Sequence, residues 1–378
     1  VASTGRLVGL DVARCLALLG MVATHLLSSR SPAGEESLSH LVASGRASAL
    51  FAVLAGVTLA LLTGGRTPLV GRDRWVAVGG LVARALLIAL LGLALGELDT
   101  GLAIILTYYG VLFLLGLPFV ALGARALAVL AGVWLVVAPV VSHLVRPELP
   151  EPRYANPSFE QLSEPVLLLS ELTFTGYYPV VPWLAYLLAG MAVGRSDLAR
   201  RTVQGALLAG GLLLAAGSAL VSARLTEGRV PPELLDQART DSYGTTPTGG
   251  SPEWLLIAAP HSGTPFDLAQ TIGSSLAVIG GCLLVVGLLP AALPRVAAVV
   301  FGAGTMTLTL YTLHAWLRSD WIPAEEPSAF RDHVIILGLI GAVFVLLRRR
   351  GPLEALVALP GRGLRRWNSA RRSSVPTP

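Results

Sequence analysis

The chain has 378 residues, 53% of them hydrophobic and only 13% charged, with a mean hydropathy of +0.68. This excludes a soluble enzyme carrying one anchor and indicates a polytopic membrane protein. All 28 basic residues are arginine, and they give a net charge of +5. They gather beside apolar runs, so the charge reports membrane orientation rather than nucleic-acid binding. Cys15 and Cys282 both fall inside apolar runs and imply neither a disulfide framework nor a metal site.

Apolar runs bounded by charge, Gly or Pro predict an all-α, polytopic transmembrane bundle of about ten spans: 7–27, 46–63, 75–95, 101–121, 125–144, 177–194, 201–222, 267–289, 295–317 and 331–347. Asp11 and Arg14 interrupt the apolar core that a cleavable signal peptide needs, so the first span is expected to be retained. Arg66, Arg72, Arg74, Arg125, Arg195, Arg200, Arg201 and Arg295 mark one side of the membrane. Glu97, Asp99, Glu148, Glu151, Glu160, Glu164 and Glu171 mark the other. By the positive-inside rule both termini are cytoplasmic.

The outer loops 145–176 and 223–266 are long, and Pro165 to Phe174 reads as a short helix against the outer rim. Residues 1–350 form the membrane domain and 351–378 a basic cytoplasmic tail. Arg348, Arg349, Arg350, Arg362, Arg365, Arg366, Arg371 and Arg372 read as an orientation signal touching lipid headgroups, with Gly351 to Val357 along the inner surface. The sequence offers no internal repeat and no paired broken helices.

The first span carries Asp11, Arg14 and His25. At 100° per residue Asp11, Arg14, Leu18, Met21 and His25 keep to one side of a helix, so the polar groups form one stripe. Arg14 and His25 are roughly 16 Å apart along its axis. A charge inside a span costs on the order of 2.5–3.5 kcal/mol, so such residues face a protein interior or a wet cavity and mark function. In the ninth span Tyr311 and His314 lie one turn apart near the outer end. Tyr178, within Gly176–Trp183, and His261 with Asp267, within Pro260–Asp267, fall at outer helix entrances. Four polar clusters thus meet one membrane face. Arg84, deep in the third span, either pairs with Asp11 or contacts a ligand phosphate, the pairing being the first expectation. Arg46, opening the second span, is a further candidate for binding substrate. His143 and His333 read as interfacial side chains with their polar tips in water.

These residues resemble known membrane acyltransferases. Arg14, ten intervening residues and His25 resemble the signature of the acyltransferase-3 superfamily. Arg6 to Arg14, Leu50 to Gly56, Ile105 to Gly110, Tyr178 to Trp183 with Gly190 to Arg195, and Leu308 to His314 resemble bacterial homologues of heparan-α-glucosaminide N-acetyltransferase. The resemblance implies transfer of an acetyl or other acyl group from acetyl-CoA or another acyl-CoA to a glycan or small-molecule acceptor at the outer face. His25 would be the general base, Arg14 and Arg84 would hold donor phosphates or guide the donor, and the His314–Tyr311 pair would orient the acceptor or stabilise an oxyanion. Cys15 departs from the glycine usual in relatives. The lysosomal member carries asparagine at the position matching His25, with its histidine in the following loop, which here contains His40. His40 is therefore the second candidate for the base. The expected location is a bacterial plasma membrane, with acyl-CoA as donor substrate, no permanently bound cofactor or metal, the bilayer as surroundings and a homodimer as one possible assembly. The rival readings are a transporter or flippase of a small polar or glycan substrate, for which intramembrane charge is equally natural, and a scaffold whose polar residues only join helices.

Overall fold

A computed structural model describes residues 7–31, 33–241, 244–246, 251–319 and 329–373. Arg6 lies outside them, and the side chains of Arg371 and Arg372 lie outside the described side chains. Among the described residues the chain is 75% helical and has no strand. The first half contains α1 (Val8–Leu26), α2 (Leu38–Ala43), α3 (Arg46–Leu62), α4 (Gly71–Gly96), α5 (Leu106–Gly116), α6 (Ala124–Val145), α7 (Pro165–Ser170) and α8 (Val180–Gly194). The second half contains α9 (Arg201–Thr226), α10 (Pro232–Asp241), α11 (Pro265–Leu288), α12 (Leu293–Val300), α13 (Thr307–Leu317), α14 (Ala329–Leu346), α15 (Pro352–Val357) and α16 (Leu359–Ser373).

Each of the ten apolar runs is helical, but they do not all cross in the same way. Seven segments among the described residues are long and apolar enough to span: α1, Leu38–Leu62, α4, Ala124–Glu148, α9, α11 and α14. The stretch Pro165–Thr175 and α8 form a pair bent by 50°, an eighth span if taken as one. The short outer helix expected at Pro165 to Phe174 is α7 continued by a π-helical turn, Glu171–Thr175. The ninth run is split into α12 and α13 by a 3-10 turn at Gly302–Thr305. Broken helices therefore occur at two places where hydropathy offers none. Hydropathy registers apolarity, and Gly176, Pro179, Gly302 and Gly304 interrupt backbone geometry without adding charge.

Helix α8 is the buried axis of the bundle, with Trp183, Tyr186, Leu187 and Met191 all in the core. Helices α6, α9 and α14 present Val133, Val137, Leu213, Leu220, Leu339 and Val343 outward, the surface a bilayer would cover. Without a hydrophobic force between helices in lipid, close approach through small residues joins them. The closest such contact decides the site. A Cβ on Gly304 would lie 1.8 Å from the backbone oxygen of Asp11, so the broken ninth segment reaches α1 only because that residue is glycine. The start of α13 is thereby set beside the polar stripe of α1.

Loop 145–176 is folded onto one end of the bundle. Asn156 accepts from the Ile104 amide at 2.7 Å and donates to the Leu102 carbonyl at 2.7 Å. Glu171 accepts from the Arg153 amide at 2.7 Å and from Gln161 at 3.1 Å. Arg195, expected as a loop charge, is instead buried. Its guanidinium donates to the carbonyls of Ala60 and Gly65 and to Thr63 Oγ1, at 2.8, 2.7 and 2.9 Å, and so satisfies the last turn of α3 and the turn beyond it.

Candidate active site

The α1 stripe opens onto two chambers in series. The first, about 240 Å³, is bordered by Arg14, Thr58, Arg84, Tyr109, Tyr311 and Glu354. Arg14 is fixed there by Asp11, to which Nη1 donates at 2.9 Å, and by Thr58 Oγ1 on α3 at 3.0 Å. The expected pairing of Asp11 with Arg84 is thus replaced by one with Arg14, three residues along the same helix. Arg84 instead faces Glu354. The acid was not anticipated as a site residue. Its carboxylate accepts from the amides of Leu308 and Thr309 at 2.7 and 3.1 Å and from Thr309 Oγ1 at 2.6 Å, capping the exposed N–H groups that begin α13. The one signal for it was that Glu354 is the single acid in the basic run from Arg348 to the end of the sequence.

The second chamber, about 170 Å³, is bordered by His25, His40, Tyr178, Arg239, His261 and Tyr311. Met21, Ile105 and Tyr311 line both chambers and form the partition between them. Tyr311 is held in this position by the Ile105 amide, which donates to its hydroxyl at 3.3 Å. His25 Nδ1 lies 3.0 Å from His314 Nε2. Their rings are parallel to 1° with centroids 5.2 Å apart. His314 is 0% exposed, and His333 packs edge-on against it with centroids 5.0 Å apart. His333 was expected at the wet interface. It is 7% exposed, because α14 folds over the broken ninth segment and its Nδ1 bonds the Ala329 carbonyl at 2.8 Å.

His40 rises from α2, whose first turn is capped by Ser37, and it shares the second chamber with His25. His261 sits at a left-handed backbone position, φ 58°, with its ring against Tyr178 at 6.2 Å between centroids. Burial, reinforced by neighbouring His40, pushes the His261 imidazole down to about 4. Tyr178 donates to the Ala103 carbonyl at 3.2 Å. Asp267 lines neither chamber. It accepts from the Gly263 amide at 3.0 Å and so shapes the loop that presents His261. Arg46 donates to the Leu41 carbonyl at 2.7 Å and borders a wider cavity of about 890 Å³, which shares Pro260 and Arg239 with the second chamber. His143 borders neither chamber. Of the eleven residues singled out in the sequence, Arg14, Arg84 and Tyr311 thus meet in the first chamber, and His25, His40, Tyr178 and His261 join Tyr311 in the second. Asp11, His314 and Asp267 support from behind, and Arg46 lies beyond. Among the described residues no group of three or more His, Cys, Asp or Glu is placed to hold a metal ion.

An all-helical bundle with charged residues turned onto internal chambers is a multi-pass membrane protein with a site inside the helices. Its residues 6–218, more than half of the chain, match the family described as "Heparan-alpha-glucosaminide N-acetyltransferase, catalytic". The chain belongs to that family and is a membrane enzyme of acetyltransferase type. No curated protein matches it. Asp11, Arg14, His25, His40, Arg46, Arg84 and Tyr178 lie within the matched residues, whereas His261, Asp267, Tyr311, His314 and Glu354 lie beyond them.

Proposed function

We propose that the chain moves an acetyl or other acyl group from an acyl-CoA, entering at the Arg14 end, to the hydroxyl or amine of a sugar or other envelope metabolite entering at the His261 end. The observation that carries this reading is the pair of chambers meeting at Tyr311, with Arg14 and Arg84 on one side and His25, His40 and His261, beside Arg239, on the other. The arginine end is cytoplasmic in this reading, the imidazole end faces outward, and the membrane is a bacterial plasma membrane.

The chemistry follows from the histidine pair. A 3.0 Å contact between two ring nitrogens needs one proton between them. With that proton on His25 Nδ1, the other nitrogen of His25, Nε2, holds a lone pair and acts as general base. His25 takes the proton from the acceptor hydroxyl or amine as its oxygen or nitrogen attacks the thioester carbonyl. The tetrahedral intermediate collapses with cleavage of the carbon–sulfur bond, and the protonated imidazole returns its proton to the departing thiolate. Tyr311, at the partition, hydrogen-bonds the developing oxyanion. Arg14 and Arg84 hold donor phosphate or guide the donor. His40 is the alternative base, since it borders the same chamber.

The test is thioester turnover by purified protein in nanodiscs, with acetyl-CoA alone and then with a panel of amino sugars and envelope glycans. Acceptor-dependent CoA release that His25→Ala abolishes in a folded protein supports the enzyme and its base. Release lost only in His40→Ala moves the base. A second reading, transport of a small polar or glycan substrate, is favoured by the two interrupted segments, the 50° bend before α8 and the break before α13. Substrate flux across liposomes without thioester turnover would select it.

A further inference from the structure

Nothing in the family match reaches past residue 218, and charge counting gives the basic C-terminal segment only an orienting role. Its packing says more. Helix α16 lies along α4 at van der Waals distance: a Cβ on Gly80 would come within 2.7 Å of the Gly361 Cα. Asn368 donates to Asp73 at 3.0 Å and Arg72 stacks over Trp367. At the other end of the segment Glu354 is locked under α13 by the bonds described above. The segment is thus keyed into the bundle at three points.

Between it and α4 lies a cavity of about 420 Å³ bordered by Arg84, Arg350, Arg362, Arg365 and Arg366. The rest of its lining is Leu, Ala, Val and Gly, with no acid among it. Arg362 is held in place by the Ala355 carbonyl, to which Nη2 donates at 2.7 Å. Four solvent-exposed guanidinium groups and that of Arg84, which also faces Glu354, border one space whose other walls are apolar. Together they concentrate positive potential that favours a multiply charged anion, and guanidinium forks match phosphate oxygens. Arg84 borders both this cavity and the arginine chamber, so the two are adjacent.

We propose that the C-terminal segment, through Arg350, Arg362, Arg365 and Arg366 together with Arg84, forms the phosphate-binding mouth of the donor chamber and holds the nucleotide phosphates of the acyl-CoA. This rests on the acyl-CoA reading above. It makes Arg84 the point where the phosphate-rich end gives way to the thioester arm. Bilayer headgroups offer the same phosphate chemistry, so the test separates the two sources.

The experiment compares the full-length protein with the double variant Arg365→Gln/Arg366→Gln, in nanodiscs of phosphatidylcholine alone and with phosphatidylglycerol added. The donors are acetyl-CoA and acetyl-pantetheine, which carries the same thioester without phosphate. The expected result is a fall of tenfold or more in the preference for acetyl-CoA over acetyl-pantetheine, equal in both lipids and partly restored by Arg365→Lys/Arg366→Lys. Equal loss with both donors, or an effect confined to phosphatidylglycerol discs, overturns the proposal. Equilibrium binding of CoA separates this from the function itself. CoA binding that weakens tenfold in the double variant, in a protein that transfers no acyl group, upholds the phosphate site while the transferase reading fails. Turnover of acetyl-pantetheine by a wild type that gains nothing from the CoA phosphates keeps the enzyme and sinks the site.

Discussion

His25 and His314 lie 289 positions apart in the chain, yet their rings are parallel to 1° with Nδ1 and Nε2 at 3.0 Å. One belongs to the first helix and the other to the short helix after the break in the ninth segment, so the contact ties the two ends of the sequence together at the second chamber. Replacing His25 by alanine is expected to lower acyl transfer by about 10²–10⁴-fold, the usual worth of a general base. Alanine at His314, which in the proposed mechanism holds His25 rather than touching the acceptor, is expected to cost less, roughly 10–100-fold. Single-turnover rates in nanodiscs, beside a monodispersity check, measure both. Equal losses would contradict the division of roles.

The half-buried His261 gives the fold a pH dependence whose sign follows from its lowered pKa. Its imidazole sits at about 4 in the folded chain against an ordinary value of 6.5, so the unfolded chain binds a proton that the folded one does not. Its stabilising neutrality is complete above 6.5 and is lost as pH falls from 6.5 toward 4, worth about 3 kcal/mol at full extent. Thermal midpoints between pH 7.5 and 4.5 should fall, and His261→Gln should flatten the slope across that window.

Gly304 touches the backbone of α1 where no side chain fits. Gly304→Ala is expected to destabilise by about 1–3 kcal/mol, the range for overpacking. It should also lower activity, because it pushes the start of α13 away from Arg14. Thermal unfolding in detergent reads the first effect and turnover the second.

Glu354 satisfies two amides and a hydroxyl at the start of α13. Glu354→Ala leaves those donors without their charged acceptor, a loss on the order of 2–3 kcal/mol, and frees the segment that follows. Limited proteolysis should then cut near residue 351 where the wild type resists. Protection equal to wild type would argue against the key.

Orientation is tested by labelling. In a chain lacking Cys15 and Cys282, Arg66→Cys and Glu35→Cys, both at exposed positions, should react with an impermeant maleimide from opposite sides of sealed vesicles. Labelling of both from one side would reverse the two-ended reading of the chambers.

Charge and chemistry that stand alone in an apolar run were legible in the sequence. Arg14, His25, Arg84, Tyr311 and His314 were all singled out, and all lie at or directly behind the chambers, because an ionisable group in a span has few other places to go. Relations between runs were not legible. The partner of Asp11 was sought in another helix, although a residue three positions on lies on the same face. His333 could not be told from an interfacial histidine without knowing that α14 packs over α12 and the break before α13 and brings its ring against His314. Arg195 read as a loop charge because counting basic residues ignores the carbonyls of the helix end it fills. The two helix breaks escaped because glycine and proline leave the hydropathy of their neighbours intact.

The break in the ninth segment bears on how the protein is made. Helix α13 has 11 residues, about 16 Å of rise, too short to cross a hydrocarbon core of about 30 Å. Its first amides are answered by Glu354, which leaves the ribosome only after every helix from α1 to α14. During synthesis the amides of Leu308 and Thr309 are therefore expected to lack this acceptor until the basic segment arrives. A nascent chain stopped before residue 354 would hold all its spanning helices and still lack a finished interior, a ready mark for quality-control proteolysis.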